Sequence, residues 1–431
     1  MAKLSAVLKE RGYVYQFSSE KLEEITDPPA GGKRTLYLGI DPSADSLQVG
    51  QLQGFLILRR FLEDGHKVIL VIGGGTGMIG DPGGKNAERV LLDAETVAKN
   101  AEKISEQVKR LFGSTDPERG KASSGASFTM VNNADWLSKI SLIEFLRDVG
   151  KHFTVNAMLQ RDFIKDRVKD PKKGISYTEF SYALLQAYDY LYLHEEYECD
   201  LQVGGSDQWG NIISGVDFIR RKTGGVAYAF TWPLLVDKAT GRKFGKSESG
   251  TIWLDPLKTS PYQFYQFWIN TEDENLKGYL LKMTMLSKTE IDAALELHKR
   301  DPRERHGQHI LAREVTALVH GEEETAKAEQ VSQVLFGEGS VRGLERDALE
   351  MLRSAAPSQE VQAGTSIIDA LVAARLCHSK REARQFLADE AVTLNGEVIT
   401  DPKRELGPED FYSEIAILTR GKKNVCVLIL S

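Results

Sequence analysis

A glycine-rich stretch at residues 204–211, Gly-Gly-Ser-Asp-Gln-Trp-Gly-Asn, carries the residue types of a ligand site. Its paired glycines let the backbone approach a ligand closely. Asp207 and Gln208 can form hydrogen bonds with hydroxyl or amine groups, and a helix is expected to begin just after them. A glycine-rich turn in which Asp207 caps that helix is the other interpretation. The stretch therefore marks a candidate site without fixing its ligand.

A second stretch, Gly-Arg-Lys-Phe-Gly-Lys-Ser at residues 241–247, contains two lysines with one glycine between them. Lys243 and Lys246 have the spacing to straddle a polyphosphate, where lysines stabilise charge that develops on phosphate oxygens. The glycine would let the loop close over such a ligand. A solvated loop explains the same residues, because this spacing of lysines is common.

Both stretches need a scaffold, and the sequence predicts a parallel α/β sheet. Apolar segments at residues 35–40 and 67–72 each run into a turn rich in glycine or in aspartate and proline, and a helical pattern follows the first turn at residues 47–62. In such sheets, ligands bind outside the carboxyl ends of the strands, which is where these turns fall. Further strands are predicted at residues 127–131, 200–203 and 234–236.

The remainder of the chain predicts two more units. Residues 261–352 have the apolar and charged spacing of helices, and residues 353–364 are expected to form a linker because they are rich in small and charged residues. In residues 365–431 the pattern indicates two short helices and a β-hairpin turned by Asn395-Gly396. The expected architecture is a parallel-sheet α/β domain over residues 1–260, a helical domain, and a small α+β domain.

Composition narrows the class of protein but does not choose a function. The 431 residues carry a net charge of −7, which argues against a protein that coats nucleic acid along its whole surface. The three cysteines are scattered and indicate neither a disulfide framework nor a cysteine-based zinc site. There is no long apolar run and no signal-peptide pattern, so a cytoplasmic location and no membrane partner are expected.

Six motifs in order and spacing give the sequence a family resemblance over almost its whole length. They are residues 37–47, 80–82, 174–182, 186–189, 204–211 and 243–247. In these the chain resembles bacterial-type tyrosyl-tRNA synthetases, which are class I aminoacyl-tRNA synthetases. The resemblance implies a Rossmann-like catalytic domain and an RNA-binding C-terminal domain. It also implies formation of tyrosyl-adenylate from tyrosine and ATP with Mg²⁺, followed by transfer to tRNA(Tyr), with no metal held by the protein itself.

The resemblance assigns residues to the tyrosine substrate. It places Tyr37 and Asp189 at the phenol, and a buried donor and acceptor there would lose a partner if phenylalanine bound. The residues that it places at the α-ammonium group or elsewhere in the tyrosine site are Asp81, Tyr182, Gln186 and Gln202. For Asp81, a helix cap after Gly80 is the alternative interpretation.

The resemblance also assigns the ATP end. Residues around the adenylate are Gly39, Asp41, Ser43, Gly50, Gly205, Asp207, Gln208 and Lys246. Residues with a catalytic role toward the departing pyrophosphate are Gln48, Gln51, Lys85, Arg89, Lys243, Lys246 and Ser247. One departure stands out: the first class I signature normally reads His-Ile-Gly-His, whereas residues 48–51 read Gln-Val-Gly-Gln. A glutamine amide can donate a neutral hydrogen bond but cannot become cationic.

Contacts with tRNA and with a second subunit follow from the same resemblance. The candidate tRNA contacts are Arg220, Arg221, Lys380, Arg381, Arg384, Lys422 and Lys423. From Ala363 onward the chain has nine Lys or Arg against ten Asp or Glu, so any RNA contact there would be a stripe of charge. A solvated helix face, or a favourable helix C-terminus in the case of Arg220 and Arg221, explains the same cations. A homodimer is expected, with residues 153–158 and Tyr177 near its interface.

Two competing interpretations remain at this stage. The altered signature, Gln48 with Gln51, fits a non-catalytic relative that keeps the fold as an RNA-binding or regulatory module. A tryptophan-specific relative would share the fold. Against the first stand the retained lysines and the retained tyrosine-site residues; against the second stand Tyr37 and Asp189, which suit a phenol better than an indole.

Overall fold

The computed structural model describes residues 3–28, 32–83, 91–112, 126–160, 164, 168, 174–236, 244–247, 250–337, 339–421 and 424–431. The chain divides into two compact units. The first comprises Met1–Asp255 with Glu272–Asp292, and the second comprises Pro256–Thr271 with Ala293–Ser431.

A six-stranded sheet forms the centre of the first unit. Its strands are β1 Gln16–Phe17, β2 Thr35–Ile40, β3 Lys67–Ile72, β4 Ser127–Asn132, β5 Cys199–Gly205 and β6 Tyr228–Trp232. The order across the sheet is β1-β6-β5-β2-β3-β4, and every pair is parallel except β1 with β6. The chain runs outward from β2 through β3 to β4 and then returns to the other side of β2. The boundary between β2 and β5 is therefore the topological switch point, where α/β sheets open a crevice for ligands.

The first unit contains helices beside this sheet, and helices form much of the second unit. They are α1 Leu4–Glu10, α2 Leu22–Thr26, α3 Leu52–Glu63, α4 Ala94–Phe112, α5 Ala134–Leu137, α6 Leu142–Asp148, α7 Val155–Leu159, α8 Tyr177–Tyr197, α9 Trp209–Thr223, α10 Pro261–Ile269, α11 Asp273–Met283, α12 Lys288–Arg300, α13 His306–His320, α14 Glu322–Phe336, α15 Arg346–Ala355, α16 Ile367–Ala373 and α17 Lys380–Ala388. None of the described helices is both long and apolar enough to cross a membrane.

The second unit ends in a five-stranded sheet. After the two-residue strands β7 Lys246–Ser247 and β8 Gly250–Thr251 of the first unit come β9 Ser358–Val361, β10 Val392–Leu394, β11 Glu397–Val398, β12 Ile415–Arg420 and β13 Asn424–Leu430. The sheet order is β11-β10-β12-β13-β9, and β9 is parallel to β13. Helices α16 and α17 cover the sheet with a buried apolar core that includes Ile367, Leu371 and Leu387. The predicted hairpin at Asn395-Gly396 is confirmed by β10 and β11.

Two elements differ from the sequence-based expectations. The predicted strand at residues 234–236 is wrong: the sixth strand is β6, and Pro233 follows its end at Trp232 and has no N–H with which to continue a ladder. The predicted linker at residues 353–364 is also wrong. Helix α15 extends to Ala355, and Ser358–Val361 pairs with β13 as a full member of the C-terminal sheet.

The predicted helix at residues 47–62 begins later than expected. A single 3-10 turn, Val49–Gln51, precedes α3, which starts at Leu52. Two similar turns follow other strand ends of the sheet, Thr76–Met78 after β3 and Ser206–Gln208 after β5. These turns carry several of the candidate site residues.

Candidate active site

The floor of the candidate site lies at the switch point of the sheet. Tyr37 on β2 is directly opposite Gln202 on β5, and both side chains are almost completely buried. The Tyr37 hydroxyl and the Gln202 Oε1 atom have no hydrogen-bond partner among the described residues, and the same holds for Oε1 of Gln186. Buried polar atoms are nearly always paired in folded proteins, so unpaired ones at the end of a parallel sheet indicate a place for a polar ligand.

Helix α8 supplies one wall of the site. The Ser176 side chain caps its N-terminus by accepting the Glu179 N–H. Tyr182, Gln186 and Asp189 lie four and then three residues apart along this helix, so they share one face. The three side chains that the resemblance assigned to tyrosine therefore lie together on the same side of α8.

Asp189 is a buried carboxylate held by two donors. Asn133 Nδ2 donates to Asp189 Oδ2 at 2.9 Å, and Trp136 Nε1 donates to Oδ1 at 2.7 Å. Burial raises the pKa of Asp189 to about 7, although both hydrogen bonds act to lower it. Each oxygen thus accepts one bond from the protein and retains a lone pair for a further donor.

The two tyrosines of the site remain protonated. Burial, and then the charge of Asp189, raise the pKa of Tyr37 well above the usual tyrosine range. Burial, and then the charge of Asp41, do the same for the pKa of Tyr182. Tyr37 therefore offers a hydroxyl donor beside a carboxylate acceptor, whereas the Tyr182 hydroxyl already donates to Asp41 Oδ2 at 2.9 Å.

A second carboxylate, Asp41, follows the end of β2. Its Oδ1 atom accepts from the Thr76 hydroxyl at 2.7 Å. A Cβ atom at Gly73 would lie 2.1 Å from the same oxygen, so this position at the end of β3 leaves no room for a side chain. Gly39 presents open surface near the carboxyl end of β2, and Ser43 is exposed just beyond it.

A polar cluster joins three assigned residues. Gln208 Nε2 donates to Asp81 Oδ2 at 2.6 Å, and Gln186 Nε2 lies 3.4 Å from Gln208 Oε1. The other oxygen of Asp81 accepts the Gly83 N–H at 2.9 Å. Gly205 precedes this cluster at the end of β5, and a Cβ there would come within 2.6 Å of the Asp207 carboxylate.

The Gln-Val-Gly-Gln turn lies on the surface of the first unit. Gln48, Gly50 and Gln51 are exposed, and the Gln48 N–H donates to Gln51 Oε1 at 2.8 Å. Backbone bonds fix the turn: the Val49 N–H donates to the Ile252 carbonyl at 3.0 Å. A Cβ at Gly245, which has a φ of 88°, would lie 2.9 Å from Val49 Cγ1. The turn thus packs against the described part of the lysine-containing stretch.

Comparison with known proteins identifies the family of this chain. Residues 30–337 match the family described as tRNA synthetases class I (W and Y). The chain belongs to this family. Residues 348–428 match a second description, the tyrosine–tRNA ligase SYY-like C-terminal domain.

Relatives in the synthetase family match almost the whole chain. The tyrosine–tRNA ligase of Aliivibrio fischeri (strain MJ11) is 45% identical over 419 residues, which is 96% of this chain and 96% of the relative. That of Roseiflexus castenholzii is 46% identical over 424 residues, 97% of each chain. A crystal structure of a C-terminally truncated mitochondrial tyrosyl-tRNA synthetase from Aspergillus nidulans matches with a TM-score of 0.70 and 30% identity, over 78% of this chain and 95% of that one. The predicted resemblance and fold class are confirmed.

Some residues assigned by resemblance to the synthetase family are not described structurally. Lys85, Arg89, Lys243, Lys422 and Lys423 lie outside the described residues. For Lys246 and Ser247 the structure gives only the backbone, which forms β7 and pairs with Gly250 and Thr251 of β8.

The cations assigned to tRNA differ in their surroundings. Arg220 pairs with Asp217 at 2.8 Å, and Arg221 donates to the His152 carbonyl at 2.7 Å. Lys380 pairs with Asp369 at 2.6 Å. Arg381 and Arg384 are exposed on α17.

Three residues of the candidate site were not predicted from the sequence: Thr76, Asn133 and Trp136. Asn133 and Trp136 lie just after the edge strand β4, and Thr76 lies in the turn after β3. The only local signal was their position after predicted strands, since an isolated asparagine or threonine carries no periodic pattern.

Proposed function

We propose that this chain is a tyrosine–tRNA ligase that forms tyrosyl-adenylate and pyrophosphate from tyrosine and ATP and then transfers the tyrosyl group to tRNA(Tyr). The observation that carries the proposal is the unpartnered Tyr37 hydroxyl beside the buried Asp189 carboxylate, in a chain of this family. The relatives that match almost the whole chain are tyrosine–tRNA ligases by name.

We assign the phenol of tyrosine to Tyr37 and Asp189. An ionised carboxylate can only accept, and each Asp189 oxygen keeps a lone pair beside the bond that it accepts, so the substrate hydroxyl donates to Asp189 and accepts from Tyr37. Phenylalanine leaves both groups unpaired in a buried place, which costs binding energy. An indole N–H can donate to Asp189 but has no acceptor for Tyr37, which favours tyrosine over tryptophan.

We assign the other end of tyrosine to the polar cluster of helix α8 and the β5 turn. Asp81 supplies a carboxylate for the α-ammonium group, and Tyr182 and Gln186 supply oxygens near it. Gln202, with its unpartnered Oε1 atom on β5, completes the tyrosine site.

ATP, as its Mg²⁺ complex held by phosphate oxygens and water, is proposed to bind over the open strand ends. The residues proposed around the adenylate are Gly39, Asp41, Ser43, Gly50, Gly205, Asp207, Gln208 and Lys246. The tyrosine carboxylate then attacks the α-phosphorus in line with the departing pyrophosphate. Catalysis comes from positioning and from donors directed at the developing charge, with Gln48 at the exposed turn among them.

Further proposed groups act on pyrophosphate and tRNA. Gln51, Lys85, Arg89, Lys243 and Ser247 are proposed to assist the first step. The proposed tRNA contacts are Arg220, Arg221, Lys380, Arg381, Arg384, Lys422 and Lys423. Arg381 and Arg384 form no ion pair within the described part of the chain, which makes them the better phosphate ligands of the C-terminal group.

We also propose a homodimer in the cytoplasm. Helix α6 buries none of its residues, and Leu142 and Ile143 are 69% and 71% exposed. Val155 and Tyr177, also of the first unit, are 59% and 70% exposed. Exposed apolar side chains in such number indicate a protein interface. Sedimentation of the chain at micromolar concentration tests this, and Ile143→Asp should shift it toward the monomer.

The decisive test of function is pyrophosphate release with tyrosine, ATP and Mg²⁺, followed by charging of tRNA(Tyr). Tyrosine-dependent release is expected, and phenylalanine and tryptophan should give little. A protein that binds tRNA but releases no pyrophosphate would establish the non-catalytic alternative. Arg381→Ala with Arg384→Ala should spare pyrophosphate release and weaken charging, whereas an unchanged charging rate would remove the C-terminal contacts from the proposal.

A further inference from the structure

Asn133 forms a buried hydrogen-bonded junction behind the phenol site. Its side chain is 1% exposed. Nδ2 lies 2.9 Å from Asp189 Oδ2 and 2.9 Å from Thr76 Oγ1, and Oδ1 accepts the Gly75 N–H at 2.8 Å. Both hydrogens of its NH2 group and one lone pair of Oδ1 are therefore engaged.

The donor and the acceptor in each of these hydrogen bonds follow from which groups carry a hydrogen. The Gly75 N–H can only donate, so the oxygen of the Asn133 amide faces Gly75 and the NH2 group faces the other two partners. Thr76 accepts from that NH2 group and gives its single hydroxyl hydrogen to Asp41. One amide therefore supports two carboxylates, Asp189 directly and Asp41 through Thr76.

Among the described residues, no other charged or titratable group near Asp189 stabilises its ionised form. The charge of Asp41 opposes the ionisation of Asp189. Besides burial, the charge of Asp189 in turn raises the pKa of Tyr37 on β2 and of Tyr182 and Tyr188 on α8. Among the described residues no Lys, Arg or His forms an ion pair with Asp189. The neutral donors of Asn133 and Trp136 are what the protein supplies to hold this carboxylate as an acceptor.

We propose that Asn133 is a positioning residue for tyrosine recognition, which keeps Asp189 oriented and ionised so that it accepts the substrate hydroxyl. The inference rests on the proposed role of Asp189 at the phenol. Asn133 itself touches no substrate atom in this scheme. Loss of its amide leaves a buried carboxyl that takes up a proton more readily, and a protonated Asp189 competes with the substrate as a donor.

The predicted signature is a pH-dependent loss of tyrosine affinity. Because hydrogen bonds from Asn133 and Trp136 lower the pKa of Asp189, which is about 7 in the parent, removing one should raise it. A rise of about one unit makes the KM for tyrosine about tenfold higher than the parent value near pH 6, and nearly equal to it near pH 9. The KM for ATP should not change.

The experiment compares Asn133→Ala with the parent in tyrosine-dependent ATP–pyrophosphate exchange between about pH 6 and about pH 9. Asn100→Ala is the matched control, because Asn100 is also buried but donates to the Pro42 carbonyl and, among the residues that the structure describes, to no carboxylate. The isosteric Asn133→Asp, which replaces the donor by an acceptor, should shift the profile further in the same direction and serves if the alanine variant does not fold.

The outcomes separate this inference from the function on which it rests. A KM increase that narrows with rising pH supports the role of Asn133. An equal increase at every pH, or the same profile as Asn100→Ala, overturns it while leaving the ligase function intact. A parent protein with no tyrosine-dependent exchange overturns the proposed function, and the inference with it.

Discussion

The two ends of the proposed reaction centre are built in different ways. At the phenol end, Tyr37 and Asp189 are buried, and Asp189 is bonded by two further buried side chains. At the ATP end, Gln48, Gly50 and Gln51 are exposed, and the turn that carries them is fixed by its backbone.

This difference explains where the sequence can depart from the family pattern. The two glutamines that replace the histidines lie on the exposed turn, where the Gln51 side chain accepts the Gln48 N–H and backbone bonds hold the chain. At the phenol end, Asp189 is bonded by Asn133 and Trp136, so replacing any of these three side chains leaves a buried donor or acceptor unpaired. In the proposed scheme, specificity for tyrosine therefore depends on buried groups, whereas Gln48 and Gln51, proposed to assist activation, lie on an exposed turn.

The strongest way to break the phenol end is Asp189→Ala. It removes a charged acceptor from a buried hydrogen bond, so kcat/KM for tyrosine in pyrophosphate exchange should fall about a hundredfold or more. Asp200→Asn is the matched control, because Asp200 is a partly buried carboxylate that pairs with Arg34 away from this pocket. Circular dichroism should show both variants folded, and near-parent activity of Asp189→Ala would refute the assignment of the pocket.

The pH dependence of the parent protein should distinguish the two ends. Burial raises the pKa of Asp189 to about 7, and the proposed role of Asp189 as acceptor of the tyrosine hydroxyl requires its ionised form, so affinity for tyrosine should increase as pH rises through this value. The KM for tyrosine should be about tenfold higher near pH 6 than near pH 8, with the KM for ATP much less affected. A flat tyrosine profile would mean that Asp189 is not the acceptor of the substrate hydroxyl.

Substitution of Gln48 tests the exposed end. If its amide donates to phosphate as charge develops, Gln48→Ala should slow adenylate formation about tenfold without changing the KM for tyrosine. Gln48→His should accelerate it about fivefold, since a cationic donor strengthens in the transition state. Pre-steady-state quench measurements give both rates, and three equal rates would exclude a catalytic role for Gln48.

The smallest effect is expected for Tyr37→Phe. The Tyr37 hydroxyl has no partner among the described residues, so its removal should raise the free energy of unfolding by about 1 kcal/mol. The same change removes a neutral hydrogen bond to the substrate and should raise the KM for tyrosine about fivefold. Thermal unfolding measures the change in stability, and pyrophosphate exchange kinetics measure the KM for tyrosine. A destabilised Tyr37→Phe variant with an unchanged KM would show that the Tyr37 hydroxyl does not bind the substrate.

The sequence predicted the parts of the fold that have local signals. The strands β2, β3, β4 and β5 were recognisable as apolar runs ending in turns, and α8 presents its three assigned residues at helical spacing. Asn133 and Thr76 could not be predicted in their roles, because their partners come from other strands and depend on tertiary packing.

The errors have the same origin. Residues 353–364 resembled a linker because a short strand with exposed side chains has a weak pattern, and β9 exists only through its pairing with β13 some seventy residues later. Val236 and its neighbours resembled a strand by composition, although Pro233 separates them from the ladder that ends at Trp232.

The position of β13 has a consequence for synthesis of the chain. This strand lies inside the C-terminal sheet, between β12 and β9, and beyond it the Ser431 N–H donates to the Val361 carbonyl at 3.0 Å. Translation must therefore reach residue 430 before β9, which left the ribosome much earlier, gains its partner. A stop codon between β12 and β13 would leave β12 with an unpaired edge and β9 without its partner, which exposes the truncated chain to aggregation and degradation.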